Sequence, residues 1–272
     1  MPVEKSNAPI GIFDSGIGGL TVAKAISALL PNEELVYFGD TMHMPYGEKS
    51  VNLIRAYALK ITDFLLNVKK CKAIVIACNT ASAAAYEVLR DIHIGNVPVI
   101  NVIDPMVEAV IADNTINRVG VIATKTTVKS GTYQEKFYRR KPTLEFTALA
   151  TPLLASMIEE GFFNNNISTA ILEKYLSHSE LDSIDAIVLA CTHYPLIKKE
   201  IDTYYKGKVK IFDSAEIVAN RLKWILEKEN LLTDKRTKDN LFYISDYTES
   251  FAQTAQQFFG SNLQLKENNL WE

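Results

Sequence analysis

The sequence predicts an α/β fold built from two similar domains, each with a parallel sheet, and three observations support this prediction. Short apolar runs alternate with segments of helical spacing along the chain, which is the pattern of α/β proteins. Two of these runs, residues 73–77 and 186–190, are rich in β-branched residues and are each followed by a cysteine, Cys78 or Cys191. Such runs are typical of strands that a parallel sheet buries on both faces. Several strand ends also recur in the same order at a nearly constant spacing.

The recurring segments indicate an internal duplication. Their offsets lie between 109 and 113 positions, and 113 positions separate Cys78 from Cys191. One match alone would carry little weight because buried parallel strands resemble one another, but four matches in the same order are hard to explain otherwise. The matched pairs are residues 10–13 with 119–122, 38–41 with 148–151, 78 with 191, and 103–104 with 212–213. If the two halves face each other, the carboxyl ends of their sheets meet in one cleft, where α/β proteins bind ligands.

The first half contains four predicted strands and four predicted helices. The glycine-rich segment 14–19 is expected to form a tight loop before a helix that Pro31 stops. Residues 51–68 carry apolar side chains at helical spacing, which predicts a long helix. Residues 41–47 contain Pro and Gly and are expected to form a loop. The predicted strands are residues 10–13, 35–38, 73–77 and 97–102, and the predicted helices are residues 20–30, 51–68, 81–92 and 106–113.

The second half repeats this alternation. Gly161 stands where a C-terminal cap is expected, and Thr248 is the expected N-cap of the last helix. Strands are predicted at residues 118–123, 146–150, 186–190, 209–212 and 241–245, and helices at residues 153–160, 167–177, 214–229 and 248–259, with 125–138 a loop that enters a helix. Residues 231–240 are polar and are expected to form a surface loop. Most of the other aspartates at strand ends are expected to cap the next helix, namely Asp40, Asp104, Asp213 and Asp246.

Composition and charge narrow the classes of function. The chain has 272 residues, 47% of them hydrophobic, and a formal net charge of −3 with dispersed basic residues. These values suit a globular protein and give no reason to expect a nucleic acid or a membrane surface as a partner. The first nine residues lack the apolar core of a signal peptide, so we expect a cytoplasmic protein. Three cysteines, an odd count, argue against a disulfide framework.

Cys78 and Cys191 are the residues best suited to carry chemistry. Each follows a buried strand, and a helix is predicted to begin just after Cys78, where the helix dipole favours the thiolate. Two acid/base groups on opposite faces of one carbon suit the inversion of a stereocentre, because one thiolate removes a proton and the other thiol delivers one. Thiols fit this task since a free cysteine pKa of about 8.5 is easily brought toward neutrality. The third cysteine, Cys71, precedes its strand and is expected to be structural.

Four short motifs stand out from the rest of the sequence. They are DSGIGG at residues 14–19, PYG at 45–47, CNTA at 78–81 and CTH at 191–193. As an ordered set they resemble the cofactor-independent aspartate/glutamate racemase family, and within it the glutamate racemases. The resemblance implies two α/β domains related by pseudo-twofold symmetry, with the active site in the cleft between them. It also implies interconversion of L- and D-glutamate without a cofactor or a metal, which supplies D-glutamate for peptidoglycan, and we expect a homodimer.

The resemblance further implies roles for single residues. Cys78 and Cys191 match the two acid/base cysteines of the family, with Cys78 acting on D-glutamate and Cys191 on L-glutamate. A glutamate in the middle helix also contributes there, and Glu159 is the expected match, with the adjacent Glu160 as the alternative. The residues expected to assist the thiols are Asp14, Glu159 and His193. The residues expected to hold the substrate are Asp14, Ser15, Pro45, Tyr46, Gly47, Asn79, Thr80, Thr192 and His193.

The order of the repeats also predicts where the chain passes between domains. A strand and two helices are left over after the second repeat, which indicates that the second domain is inserted into the first. We therefore expect one domain made of residues 1–98 and 213–272 and a second made of residues 99–212. The two crossings between them would act as a hinge that opens the cleft.

Three alternatives stay open on the residues alone. The glycine loop after Asp14 could cradle a phosphate or a nucleotide, although Thr21 stands where a dinucleotide motif needs its third glycine. Cys78, Cys191 and His193 could bind zinc, although the sequence contains no CxxC pair. Within the racemases, aspartate or hydantoin could replace glutamate as the substrate.

Overall fold

Two parallel sheets form the framework of the protein. The computed structural model describes residues 5–92 and 97–272, so residues 1–4 and 93–96 of the expected first domain lie outside the described residues. The strands are β1 (Ile10–Asp14), β2 (Leu35–Gly39), β3 (Ala73–Ile76), β4 (Val99–Asn101), β5 (Arg118–Ala123), β6 (Glu145–Ala150), β7 (Ala186–Ala190), β8 (Lys210–Phe212), β9 (Leu241–Ile244) and β10 (Leu265–Glu267). The first sheet has the order β10-β9-β2-β1-β3-β4 and the second β6-β5-β7-β8, and every pairing is parallel.

Helices connect the strands throughout the described part of the chain. They are α1 (Leu20–Leu29), α2 (Val51–Asp63), α3 (Asn79–Ile92), α4 (Ile103–Ala112), α5 (Lys125–Lys129), α6 (Thr132–Arg140), α7 (Pro152–Glu159), α8 (Asn166–Leu176), α9 (Lys198–Tyr205), α10 (Ser214–Lys228) and α11 (Glu249–Phe259). A π-helical turn, Phe64–Val68, continues α2, so the long helix predicted for residues 51–68 is confirmed. No helix among the described residues is both long and apolar enough to cross a membrane.

The topology confirms the two-sheet α/β prediction and carries the predicted duplication. The strand order β2-β1-β3-β4 in the first sheet has the same pattern as β6-β5-β7-β8 in the second. Phe13 pairs with Ile76 in the first sheet, and Ile122 pairs with Leu189 in the second. These equivalent registers place Cys78 and Cys191 two residues beyond equivalent points of β3 and β7. Both cysteines therefore lie at the carboxyl edge of a central strand.

One hydrophobic core joins the two sheets. A continuous cluster of buried side chains extends from β1 and β3, through α1, α4 and α10, to β5 and β7. Helix α10 packs against both α1 and α4. The other face of the first sheet is covered by α2 and α3, which form a second cluster with Phe13, Phe38 and Ile76. Helices α1, α4 and α10 belong to the shared core and therefore hold the two sheets together.

Helix α5 lies where the start of a loop was expected, and two further elements, α9 and β10, were not predicted. Helix α9 has the sequence KKEIDTYY, in which only Ile201 is buried, so no apolar face of useful length was visible. Strand β10 has three residues, LKE, none of them buried, and it pairs only at the edge of the first sheet. Both elements owe their structure to their neighbours more than to a pattern of their own.

The predictions of helix caps had mixed outcomes. The Thr248 side chain accepts a hydrogen bond from the Phe251 N–H and caps α11, and Asp213 caps α10 in the same way through Ala215. The prediction was wrong for Asp104, which lies inside α4, and for Asp246, because Thr248 caps α11. It was also wrong for Asp40, whose side chain makes no capping hydrogen bond. Its carboxylate is fully buried and instead accepts hydrogen bonds from several distant side chains, as described below.

Candidate active site

A small cavity lies between the carboxyl ends of the two sheets. Eleven of the twelve predicted site residues line it, and the twelfth, Asp14, lies directly behind the wall with no exposed surface. Its lining consists of Ser15, Gly16, Met44, Pro45, Tyr46, Gly47, Cys78, Asn79, Thr80, Thr124, Ala155, Glu159, Cys191, Thr192 and His193. The free volume is about 40 Å³, which has room for only a few water molecules. The cleft is therefore closed around a site that both sheets build.

Cys78 follows β3 and immediately precedes α3. Its Sγ accepts a hydrogen bond from the Ala81 N–H at 3.4 Å and lies 3.5 Å from the Ser15 Oγ. Burial, with a further contribution from the charge of Asp14, raises the pKa of the Cys78 thiol to about 12. The expectation that the helix N-terminus would make this thiol easily ionised is therefore wrong for the closed site, since the hydrogen bond from Ala81 opposes the effect of burial without overcoming it.

Cys191 follows β7 and contacts a different set of groups. Its Sγ lies 3.6 Å from the His193 Nδ1, and the His193 Nε2 lies 2.8 Å from the Glu159 Oε1. This last contact is an ion pair by distance. Burial acts to lower the pKa of His193, but the charge of Glu159 and the Cys191 sulfur raise it well above its usual value. This raised pKa favours the imidazolium form of His193, which links a carboxylate to the thiol.

Glu159 and Glu160 differ in where their side chains lie. Glu159 ends α7 and faces the cavity, with its side chain 17% exposed. Glu160 is exposed and does not line the cavity. The geometry therefore selects Glu159 as the glutamate that contacts His193.

Asp14 connects the two halves from beneath the cavity. It ends β1, and its Oδ1 accepts a hydrogen bond from the Gly16 N–H at 2.7 Å. Its Oδ2 accepts one at 3.2 Å from the hydroxyl of Thr192, which belongs to the second sheet's edge. Burial raises the pKa of Asp14, although the charge of His193 and these hydrogen bonds oppose the rise. Asp14 is consequently a buried carboxyl that can hold a proton near Cys78.

The glycine loop packs directly against the second half. A Cβ atom placed on Gly18 would lie 2.5 Å from both the Cε1 and the Nδ1 of His193, and 2.7 Å from the Thr192 Oγ1. Such distances are far below van der Waals contact, so only glycine fits at this position. The loop that follows β1 thereby fixes the position of the imidazole ring from the opposite side of the cleft.

The residues after Cys78 contact the second half through their side chains. The Thr80 hydroxyl lies 3.0 Å from that of Thr124 and 3.2 Å from that of Thr127. The Asn79 Oδ1 accepts a hydrogen bond from the Tyr133 hydroxyl at 2.7 Å. The Asn79 Nδ2 is buried and has no hydrogen-bond partner among the residues that the structure describes. Asn79, which lines the cavity, therefore has a buried amide donor without a partner among the described residues.

Thr124, Thr127 and Tyr133 were missed by the sequence reasoning. A signal for Thr124 was present in the duplication, because the strand registers make Thr124 the equivalent of Ser15. Thr127 and Tyr133 carry no such signal, since α5 and α6 were predicted only as a loop that enters a helix. Thr127 contacts Thr80 and Tyr133 contacts Asn79 because the two halves are closed on each other.

The loop of Pro45, Tyr46 and Gly47 is held from two sides. The Gly47 carbonyl accepts a hydrogen bond at 2.7 Å from the hydroxyl of Thr126 in the second half. The Tyr46 hydroxyl donates at 2.7 Å to the buried carboxylate of Asp40. Asp40 lies at the centre of a cluster of donors, which also contains the His43 Nδ1 at 3.0 Å, the Ser245 hydroxyl at 2.8 Å and the Trp271 Nε1 at 3.1 Å. This cluster anchors the loop to the first domain.

The arrangement can be compared with the alternatives raised by the sequence. Within residues 5–92 and 97–272, no three side chains of His, Cys, Asp or Glu are grouped in a way that could hold a metal ion. All three cysteines are free. Cys71 does not line the cavity, and burial raises the pKa of its thiol to about 12.

Known proteins share this architecture over nearly the whole chain. The model of the Asp/Glu/hydantoin racemase family matches residues 19–222. A glutamate racemase from Neisseria meningitidis (strain Z2491) is 40% identical over 260 residues, 95% of both chains. The crystal structure of a glutamate racemase from Francisella tularensis in complex with D-glutamate has a TM-score of 0.90 and 38% identity, covering 98% of this chain and 99% of that one. An aspartate racemase from Picrophilus torridus is more distant, with a TM-score of 0.55 and 21% identity, covering 85% of this chain and 96% of that one.

Proposed function

The chain belongs to the Asp/Glu/hydantoin racemase family, and from this premise we propose that it interconverts L- and D-glutamate with two thiols on opposite sides of the substrate's α-carbon. The observation that carries the proposal is the presence of Cys78 and Cys191 in one closed cavity, each at the carboxyl edge of a different sheet. Charge on Cys191 contributes to the raised pKa of Cys78, so the two sulfurs are within electrostatic range of each other.

The reaction needs one base and one acid. From L-glutamate, the thiolate of Cys191 takes the α-proton, so the C–H bond breaks and an S–H bond forms. The thiol of Cys78 then gives its proton to the opposite face of the same carbon, and D-glutamate results. The reverse reaction uses the two thiols in exchanged roles. No other bond of the substrate differs between L- and D-glutamate.

The neighbours of each thiol support this division of roles. The high pKa of Cys78 keeps it protonated, which suits a proton donor. The imidazolium of His193 lies where negative charge develops on Cys191, and Glu159 holds the proton on the ring. In the reverse direction Cys78 must lose its proton, and Asp14 is the nearby carboxyl whose raised pKa lets it accept one.

Substrate binding is assigned to the polar groups of the cavity wall. The Asn79 Nδ2 is a donor without a protein partner in the described part of the chain, and a carboxylate would satisfy it. We propose that Ser15, Thr80, Thr192 and the loop of residues 45–47 complete the site, as the family resemblance implies. Glutamate is favoured over aspartate because the similarity to glutamate racemases is higher in identity and in structural overlap.

We propose that the cleft opens to admit the substrate, because its free volume of about 40 Å³ has room for only a few water molecules. We propose that the first domain, expected at residues 1–98 and 213–272, moves against the second, expected at residues 99–212. Because β4 (Val99–Asn101) pairs with β3 of the first sheet, we place the first crossing after Asn101 and not after residue 98, while β9 and β10 return the chain to the first sheet. A structure of an open form in which β8 moves with the first sheet would contradict this division.

We also propose that the protein acts as a homodimer in the cytoplasm and supplies D-glutamate for peptidoglycan. Light scattering behind a size-exclusion column would test the dimer, and a mass of about one chain at micromolar concentration would contradict it. Fractionation of the producing cell would test the location.

Circular dichroism of L-glutamate with the purified protein tests the proposed activity. The signal should decay to zero without an added cofactor, because the two enantiomers have equal free energy. L-aspartate, measured in parallel, should decay far more slowly. If aspartate were the faster substrate, the alternative of an aspartate racemase would be correct. If neither signal changed, the proposal of an amino-acid racemase would fail.

A further inference from the structure

Tyr133 lies outside the residues assigned above, yet its hydroxyl touches one of them. It is on α6, which packs against the second sheet, whereas Asn79 begins α3 of the first domain. The Tyr133 Oη donates to the Asn79 Oδ1 at 2.7 Å, so this hydrogen bond crosses between the two domains. Tyr133 is 3% exposed and Asn79 is 2% exposed, so water does not compete for the contact.

The hydrogen bond determines which end of the Asn79 amide faces the substrate. A side-chain amide has an acceptor end and a donor end, and it can turn over by rotation about its last bond. In the observed orientation the oxygen is paired and only the Nδ2 lacks a partner among the described residues. In the opposite orientation the Nδ2 would donate to the phenol oxygen, and both the phenol proton and the amide oxygen would be left unpaired. Unpaired buried polar groups are costly, so the observed orientation is the stable one.

The surroundings of Tyr133 keep it a donor. Burial, together with the nearby charge of Asp104 and Cys191, raises the pKa of its phenol above the usual value. The ring is also stacked on Phe137, with 6.3 Å between the ring centroids, which fixes the direction of the hydroxyl. The phenol therefore remains protonated and offers one O–H toward the first domain.

We infer that Tyr133 is a positioning residue, which turns the Asn79 amide so that its NH2 group meets a carboxylate of the substrate only when the two domains are closed. The inference rests on the proposed function for the identity of the substrate. In the open form the hydrogen bond is broken by the separation of the domains, and the amide is free to rotate. Closure and substrate recognition are in this way coupled through one hydrogen bond.

The variant Tyr133→Phe tests the inference, because it removes the hydroxyl and keeps the ring that packs on Phe137. The Michaelis constants for both enantiomers should rise about five- to tenfold, which is the effect of losing one buried hydrogen bond. The kcat should change less than about threefold, because the thiols are untouched. The inhibition constant of glutarate, a dicarboxylate that cannot react, should rise by the same factor as the Michaelis constants. The control is Tyr138→Phe on the same helix, where the side chain is 71% exposed, and it should match the wild type.

A double-mutant cycle with Asn79→Ala shows whether Tyr133 acts through Asn79. If it does, Tyr133→Phe adds nothing to the Michaelis constant of Asn79→Ala. Additive effects would overturn the inference, and so would a Tyr133→Phe variant whose constants stay within twofold of the wild type. Failure of the proposed function is distinguishable, because in that case the wild-type protein itself would not racemise glutamate.

Discussion

Replacing Glu159 with Gln tests the environment of Cys191 most directly, because it removes one charge and keeps the shape of the side chain. In the structure the Glu159 Oε1 lies 2.8 Å from the His193 Nε2. Burial acts to lower the pKa of His193, and the Glu159 charge is the largest influence that raises it. Without that charge, burial is opposed mainly by the contact of His193 with Cys191. We therefore expect His193 in Glu159→Gln to lose its proton at a lower pH than in the wild type.

The size of the effect follows from the geometry. Two unit charges 2.8 Å apart attract each other by about 6 kcal/mol at an effective dielectric constant of 20. Breaking a buried pair by removing one partner costs about 3–5 kcal/mol, and the 17% exposure of Glu159 places this pair at the lower end. If about 3 kcal/mol falls on the step in which Cys191 carries charge, kcat/KM falls by about two orders of magnitude. Because the equilibrium constant of racemisation is one, the loss must be equal for both enantiomers.

The assay is the initial rate of racemisation, measured by circular dichroism as a function of pH. In the wild type His193 keeps its proton through neutrality, so the rate should not fall there for this reason. In Glu159→Gln the rate should begin to fall at a lower pH than in the wild type. The matched control is Glu160→Gln, since Glu160 is exposed and outside the cavity. A kcat/KM of Glu159→Gln within threefold of the wild type would refute the reasoning, as would a larger loss in Glu160→Gln.

The stability of the same variant gives an independent check of the direction in which the pKa of His193 is shifted. The folded protein raises the pKa of His193 above its unfolded value. The ion pair therefore contributes its full stability below the unfolded value of about 6.5 and loses it as the pH rises through the folded value. The difference in unfolding free energy between wild type and Glu159→Gln should be largest just below about pH 6.5 and narrow with rising pH. A difference that widened with pH would contradict the charged state of His193.

Three further predictions concern the thiols and the loop that packs on His193. Cys78→Ala and Cys191→Ala should each abolish turnover with the fold intact by far-ultraviolet circular dichroism, whereas Cys71→Ala should stay within about threefold of the wild type; full activity in either of the first two would exclude a two-thiol mechanism. Gly18→Ala should lower kcat/KM about 100-fold, because the new Cβ would lie 2.5 Å from the His193 ring. A displacement of about 1 Å in a catalytic group has an effect of that size. Wild-type kinetics would show that the loop does not need to hold the His193 ring in place. From L-glutamate in D2O, deuterium should appear in the D-product before it accumulates in the remaining L-substrate, and early return of the original proton to the product would indicate a single base.

Much of this site was predictable because its residues follow strands that a single pattern reveals. The runs before Cys78 and Cys191 are continuous and apolar, and strands β5 and β7 have the predicted limits. Polar residues that follow such strands must lie at the carboxyl edge of a sheet, which is why Asp14, Asn79 and Thr192 are at the cavity. Local sequence is sufficient for this inference because the position depends only on the end of the strand.

Other features depended on contacts that local sequence does not contain. Asp40 follows a strand as Asp213 does, yet only Asp213 caps a helix. The role of Asp40 depends on Ser245 and Trp271, more than 200 positions away along the chain. The direction of the pKa shift at Cys78 was likewise misjudged, because the helix N-terminus is visible in the sequence whereas the closure that buries the thiol is not.

The duplication explains how one fold can supply two acids with different properties. At equivalent strand ends, Asp14 of the first half corresponds to Ala123 of the second half. His193 of the second half corresponds to Thr80 of the first half. The scaffold thus places both thiols symmetrically, while the groups beside them differ: a buried carboxyl near Cys78 and an imidazolium near Cys191. A racemase needs one thiol protonated and the other ionised at any moment, and two identical environments would favour the same state for both. The divergence of the residues around a duplicated strand end is therefore what makes the pair of thiols usable as an acid and a base.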